Sequence, residues 1–97
     1  MRDVESMRTQ VFFKGHVQGV GFRYTCRSLA KGFAMTGFVR NLSDGRVEVV
    51  AEGERGEIEA YLEAIAASEI HAFVRDRTVS WSPATGEWRD FHIRHDG

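Results

Sequence analysis

The sequence lacks the features that anchor a chain or stabilise it by means other than a packed core. Cys26 is the single cysteine, so no disulfide can form within the chain. No stretch approaches the roughly 20 apolar residues that cross a bilayer. The first residues, MRDVESMR, are charged where a secretory signal would be apolar. We therefore expect a cytosolic protein without a membrane partner.

The length of the chain leaves room for one domain. A chain of 97 residues, 42% of them hydrophobic, can bury about 60–70% of its unfolded surface without metal or disulfide support. No internal repeat, linker or low-complexity segment interrupts the sequence. We predict a flexible N-terminal extension over residues 1–8 and a single, monomeric domain over residues 9–97.

Charges nearly cancel, with a formal net charge of -1, but they are separated along the chain. Residues 8–46 contain seven basic side chains and one acid, whereas residues 48–69 contain seven acids and one arginine. One interpretation is two solvated faces that attract each other, and the other is an anion-binding site in the first half. The overall balance gives no indication of a nucleic-acid partner.

Hydrophobic periodicity predicts alternating strands and helices. Apolar residues repeat with helical spacing along two stretches, which begin at Phe22 and Ile58. The predicted strands span residues 10–17, 35–42, 46–52, 72–81 and 88–95. The order βαββαβ, with a short extra C-terminal strand, fits a two-layer α/β sandwich of the ferredoxin-like type. Such a fold has a mostly antiparallel sheet with two helices on one face.

The segment GHVQGVGFR, residues 15–23, places three glycines between the first strand and the first helix. Glycine lets successive backbone N–H groups converge, and a helix N-terminus adds unpaired donors with partial positive charge. The segment has neither the ending of a Walker A loop nor the glycine spacing of a dinucleotide-binding loop. It therefore predicts a site for a phosphate-sized anion without a nucleotide.

Two side chains near this segment suit a phosphate. Arg23 lies in the first turn of the predicted helix, where the dipole makes a cation unfavourable by up to about 1 kcal/mol unless an anion offsets it. Asn41, at the end of the second strand, offers donors and an acceptor without a charge that would repel a dianion. The alternatives are a tight turn with a solvent-exposed arginine and an asparagine that only forms a turn.

Two long motifs resemble the signature of the acylphosphatase family. They are GHVQGVGFR at residues 15–23 and GFVRNLSDGRVE at residues 37–48, and the terminal FHIR at residues 91–94 is similar to the last strand of that family. The resemblance covers the predicted domain from end to end. It implies a ferredoxin-like sandwich that hydrolyses the carboxyl-phosphate bond of small acyl phosphates, releases inorganic phosphate and needs no cofactor.

The resemblance also implies roles for individual residues. Arg23 binds the phosphate, and Asn41 positions the attacking water. The backbone that surrounds the phosphate comes from Val17, Gln18, Gly19, Val20, Gly21 and Phe22. There are departures from the family pattern: Phe38 stands where many members have tryptophan, Gly21 is smaller than its usual counterpart, and residues 68–72 lack an expected Gly-Pro segment.

Other reactive side chains receive structural interpretations. Cys26 lies on the apolar face of the first predicted helix, so we expect it to pack in the core rather than act as a nucleophile. His92 and His95 are three residues apart in a predicted strand. We expect them to point to opposite faces, which excludes a shared metal ion.

Two other functions stay open. Ferredoxin-like sheets also bind RNA through aromatic side chains on the open face, and Phe12 or Phe38 would serve that purpose here. The chain could instead be a protein-interaction or carbamoyl-phosphate-handling domain that acts beside a larger enzyme.

Overall fold

A computed structural model describes residues 5–95, which form a five-stranded sheet and two helices. In chain order the elements are β1 (Ser6–Gly15), α1 (Phe22–Ala30), β2 (Met35–Asn41), β3 (Val47–Glu54), α2 (Arg55–Ala66), a 3-10 helix (Glu69–Phe73), β4 (Val74–Pro83) and β5 (Phe91–Arg94). Neither α1 nor α2 nor the 3-10 helix is long and apolar enough to cross a membrane, and these are the helices of the described residues.

The strands lie in the order β4-β1-β3-β2-β5. Neighbouring strands are antiparallel except β2 and β5, which are parallel. This arrangement confirms the predicted ferredoxin-like sandwich, with β5 as the short extra strand beside β2. The register pairs Val11 with Val49 and Phe13 with Val47, so alternate side chains of the central strands form one continuous apolar face.

The core lies between that face and the two helices. Helix α1 buries Phe22, Cys26 and Ala30. All four residues of the apolar stripe predicted for α2 are also buried: Ile58, Tyr61, Leu62 and Ile65. Burying each large apolar side chain contributes about 1.5–3 kcal/mol. The Tyr61 hydroxyl donates a hydrogen bond of 2.9 Å to the backbone carbonyl of Cys26, which joins the two helices.

The opposite, open face of the sheet holds two nearly buried carboxylates. Glu48 receives a hydrogen bond from Arg40 Nε at 2.6 Å, and Glu52 accepts the backbone N–H groups of Thr85 and Gly86 at 2.8 and 2.9 Å. Glu52 thereby holds the connection from β4 to β5 against the sheet. Pairs such as Arg40 with Glu48 join the basic and acidic parts of the chain, in agreement with the first interpretation of the charge pattern.

Several element boundaries differ from the sequence prediction, and three of these differences have a structural reason. Strand β1 begins at Ser6, so residues 6–8 of the predicted extension pair with β3; residues 1–4 lie outside the described residues. The fourth strand begins at Val74, two residues later than predicted. The segment before it, Glu69–Phe73, forms a 3-10 helix in which Ile70 is buried. The last strand is shorter than predicted, since Trp88 leaves the sheet edge to pack edge-on against Phe38, with 5.4 Å between ring centroids.

Candidate active site

The glycines of the loop between β1 and α1 give it a conformation that other residues rarely adopt. Gly19 and Gly21 both have φ near 80°, and Gly21 is the residue immediately before the first turn of α1. A left-handed backbone is unfavourable for residues with a Cβ atom. The two glycines therefore allow the chain to turn directly into the helix.

The N-terminus of α1 is left without a protein partner. No side chain caps it, and its first turn contains no acidic residue. Among residues 5–95, no hydrogen bond uses the backbone N–H groups of residues 17–22. Unpaired N–H groups and the helix dipole together place about half a positive charge at this point, which makes it suitable for an anion.

Arg23 and Asn41 line one cavity at this helix end. The cavity has a volume of about 550 Å³, and its lining consists of Val17, Gly19, Gly21, Phe22, Arg23, Tyr24, Arg27, Asn41, His92, Ile93 and His95. Two arginines and two histidines line it, and none of its lining residues within the described range, 5–95, is acidic. One guanidinium nitrogen of Arg23, Nη1, lies 3.4 Å from His95 Nδ1.

Gln18 fixes the loop against the turn that follows Asn41. Its side-chain Nε2 donates to the carbonyl oxygen of Leu42 at 2.8 Å and to that of Arg46 at 2.9 Å. Leu42 is the residue after Asn41, and Arg46 precedes β3. The amide of Gln18 therefore sets the distance between the loop and the end of β2.

The structure brings most of the predicted site residues together. Arg23, Asn41 and four of the six loop residues line the cavity: Val17, Gly19, Gly21 and Phe22. Gln18 and Val20 do not line it, since Gln18 contacts the β2–β3 turn and Val20 packs against the core.

Sequence reasoning missed the far wall of the cavity, which Tyr24, Arg27 and the end of β5 form. His92 and His95 lie on opposite faces of the sheet, as the strand pattern predicts: the His92 ring lies 6.4 Å from that of Phe38 on the open face, whereas His95 Nδ1 lies 3.4 Å from Arg23 Nη1 on the helix side. No cluster of histidine, cysteine, aspartate or glutamate that could hold a metal ion occurs in the part of the chain that the structure describes.

Cys26 is inaccessible to the cavity. Its side chain is fully buried. Burial raises the pKa of the thiol to about 12, against a smaller lowering by the hydrogen bond with Tyr61. Because the thiolate is the nucleophilic form, this cysteine has a structural role, as the helix pattern predicts.

The Acylphosphatase family model matches residues 9–93 of the chain. The chain belongs to the acylphosphatase family. The resemblance inferred from the two motifs is thus confirmed, and acylphosphatases are hydrolases that act on acid anhydrides. An acylphosphatase of Roseiflexus sp. (strain RS-1) is 42% identical over 90 residues, which cover 93% of this chain and 97% of the relative.

Solved structures agree with this family assignment. The acylphosphatase of Bacillus subtilis superposes with a TM-score of 0.82 at 33% identity, covering 91% of this chain and 98% of that one. Full-length HypF, in a phosphate- and nucleotide-bound form, superposes with a TM-score of 0.85 at 30% identity. The match covers 99% of this chain and 13% of HypF, so the acylphosphatase fold also occurs as part of a much larger protein.

Proposed function

We propose that the protein hydrolyses the carboxyl-phosphate bond of acyl phosphates by in-line attack of water. In this mechanism Arg23 and the backbone N–H groups of residues 17–22 hold the phosphate, and Asn41 positions the water. The observation that carries the proposal is the single cavity that Arg23 and Asn41 share at an uncapped helix N-terminus.

Phosphate binding follows from the charges at the loop. The helix dipole and the free N–H groups attract an anion, and the planar guanidinium of Arg23 can donate to two phosphate oxygens. These donors remain in place as negative charge shifts toward the departing oxygen, so they stabilise the transition state of phosphoryl transfer. Arg23 also offsets the charge of the dianion that the attacking water must approach.

Asn41 suits the task of orienting that water. Its side-chain amide presents one acceptor and two donors without net charge, and it lies at the end of β2 beside the phosphate loop. An aspartate at the same place would repel the substrate dianion. Holding the water in line with the leaving oxygen removes much of the entropic barrier of the reaction.

The absence of an acidic side chain from the cavity lining is compatible with this reaction. The leaving group is a carboxylate, whose conjugate acid has a pKa of about 4. Such a group departs without protonation, so no general acid is required. The donors named above supply the charge neutralisation, and the proposed mechanism uses no cofactor.

Hydrolysis of benzoyl phosphate by the purified protein, with EDTA present, tests the proposal. We expect turnover by the parent and a loss of about a hundredfold or more in kcat/KM for Arg23→Ala and for Asn41→Ala. Arg55→Ala is the matched control, because Arg55 lies on α2 outside the cavity and pairs with Glu59 at 3.2 Å. Far-UV circular dichroism of each variant excludes unfolding as the cause. A folded parent without turnover would contradict the proposal.

The match to a small part of HypF favours a second candidate, a domain that acts within or beside a larger enzyme. Carbamoyl phosphate is the substrate that tests this candidate. The same assay separates the two. Turnover of carbamoyl phosphate without turnover of benzoyl phosphate would favour this candidate, whereas comparable turnover of both would favour a general acylphosphatase.

RNA binding loses its structural support on the open sheet face. Phe38 is 4% exposed and lies beneath Trp88, and the guanidinium of Arg46 covers the ring of Phe12 at 4.4 Å. Neither ring offers a free surface on which a base could stack.

We further infer a monomer that works in the cytoplasm, with residues 9–97 as its functional domain. A free, buried cysteine suits a reducing compartment. Size-exclusion chromatography with light scattering tests the monomer, since the scattering of a dimer would give twice the 11.0 kDa mass of the chain.

A further inference from the structure

The cavity continues past the phosphate loop along the side of α1. Tyr24 and Arg27 form this outer part together with the end of β5. Arg27 is one helical turn beyond Arg23, which corresponds to about 6 Å along the helix axis. A group bound beside Arg27 would therefore sit next to a phosphate held at the helix N-terminus and would not compete with it.

Arg27 lacks the partners that normally accompany a partly buried guanidinium. Its Nε atom is buried and has no hydrogen-bond acceptor among the described residues, and no carboxylate within residues 5–95 forms an ion pair with it. Its guanidinium lies over the ring of Tyr24, with 5.3 Å between the guanidinium carbon and the ring centroid. A buried donor without a partner is unfavourable. Because Nε is itself buried, an anion in the cavity offsets this penalty only if the Arg27 side chain turns toward it.

The outer cavity also carries more positive charge than one phosphate requires. Arg23 and Arg27 are four residues apart on one helix, and like charges at that spacing repel each other. Among the residues that the structure describes, no acidic residue of the lining relieves the repulsion. Arg27 lies in the last turn of α1, where the helix dipole favours a cation, so the helix explains part of its position. A second anionic group of the ligand would explain the unpaired Nε and the presence of two arginines in one cavity.

We propose that this outer part is the subsite for the acyl group and that Arg27 binds a second carboxylate there, which makes monophosphates of dicarboxylic acids the preferred substrate class. The inference rests on the proposed acylphosphatase function. A carboxylate fits better than a second phosphate, because the outer end has one guanidinium and no helix N-terminus to neutralise a dianion. The ring of Tyr24 provides an apolar surface for the carbon atoms between the two anionic groups.

A matched pair of substrates tests the role of charge. The substrates 4-carboxybenzoyl phosphate and 4-carbamoylbenzoyl phosphate have nearly the same shape, but only the first carries a second anionic group besides the phosphate. We expect the parent to favour the carboxylated substrate by about tenfold in kcat/KM, mainly through a lower KM, because the carboxylate is bound equally in the ground and transition states.

Variants of α1 assign the preference to one residue. We expect Arg27→Gln to reduce the ratio of the two kcat/KM values to near one and Arg27→Lys to retain part of it. Lys31→Gln is the control: it removes the same charge at the C-cap of α1, four residues after Arg27, from an exposed position outside the cavity, and should leave the ratio unchanged. The intrinsic reactivities of the two substrates affect this ratio equally in every protein. Comparing the ratio of the parent with that of each variant therefore cancels them.

The outcomes distinguish this inference from the proposed function. A parent that hydrolyses both substrates without preference, or a preference that survives Arg27→Gln, overturns the inference and leaves the acylphosphatase activity standing. A folded parent that hydrolyses neither substrate overturns both. A preference that Lys31→Gln also removes would show a general effect of net charge and would overturn the role of Arg27.

Discussion

The side chain of Gln18 contributes to both stability and activity, and a single substitution can measure the two contributions separately. Gln18→Leu keeps the approximate shape and removes the hydrogen bonds to the carbonyls of Leu42 and Arg46. Each such bond contributes about 0.5–1.5 kcal/mol net. Both carbonyls keep a second donor, since Gly45 N bonds to Leu42 O at 3.1 Å and Leu42 N to Arg46 O at 2.8 Å. With no acceptor left unpaired, we expect a destabilisation of about 1–2 kcal/mol.

The effect on catalysis should be larger than this loss of stability indicates. Without the bridge, the phosphate loop and the end of β2 can move apart, and Asn41 moves with the latter. A displacement of about 1 Å between reacting groups can lower a rate by about a hundredfold. We expect kcat/KM for benzoyl phosphate to fall by about tenfold or more in conditions where the variant is fully folded.

Urea unfolding and steady-state kinetics on the same preparation measure both effects. Gln10→Leu is a suitable control, because Gln10 Nε2 also donates across strands, to Glu48 Oε2 at 2.7 Å, but on the open face away from the cavity. It should lower the free energy of unfolding and leave kcat/KM unchanged. If Gln18→Leu is destabilised and yet as active as the parent, the side chain does not position Asn41 and the reasoning is refuted.

Three further predictions concern single groups of the fold. Burial alone would raise the pKa of Glu52, but the N–H groups of Thr85 and Gly86 outweigh it and hold the pKa below its usual value; this stabilisation is present above about pH 4 and is lost as the pH falls through the folded-state pKa. Urea unfolding between pH 3 and 7 should therefore show that the free energy of unfolding falls less toward low pH in Glu52→Gln than in the parent. An equal fall in the two proteins would contradict this. Gly21→Ala should destabilise the protein by about 1–2 kcal/mol because of its positive φ, although a Cβ would meet no atom within 4 Å; an unchanged urea midpoint would count against that strain. Cys26 should react with a thiol reagent at pH 8 only in unfolding concentrations of urea, and rapid labelling of the native protein would disprove its burial.

The inner part of the site could be predicted because its signals are local. The loop glycines, the start of α1 and Arg23 all lie within residues 15–23, so this one short segment is enough to predict an anion site. Asn41 required the additional knowledge of a recurring motif, since an asparagine at a strand end is otherwise an ordinary turn former. The apolar stripes of α1 and α2 similarly predict both helices and the face that each one buries.

The outer wall could not be predicted, because it depends on an adjacency that no local pattern encodes. Strand β5 lies parallel to β2 at the edge of the sheet, and this placement brings His95 beside Arg23 of α1. The contact of Gln18 with the β2–β3 turn has the same origin in tertiary structure. Glu52 was hidden for another reason: in the sequence it is an ordinary polar position of an alternating strand, and it becomes buried when the β4–β5 connection crosses it.

The position of β5 at the edge next to β2 also bears on when the site becomes competent during synthesis. Chains emerge from the ribosome N-terminus first, so the phosphate loop and Asn41 are available early, while the opposite wall is still being made. Only after residues 91–95 have been added and have docked beside β2 do Arg23 and His95 meet. A nascent chain interrupted before this point would hold the loop and Asn41 of the phosphate site without its opposite wall.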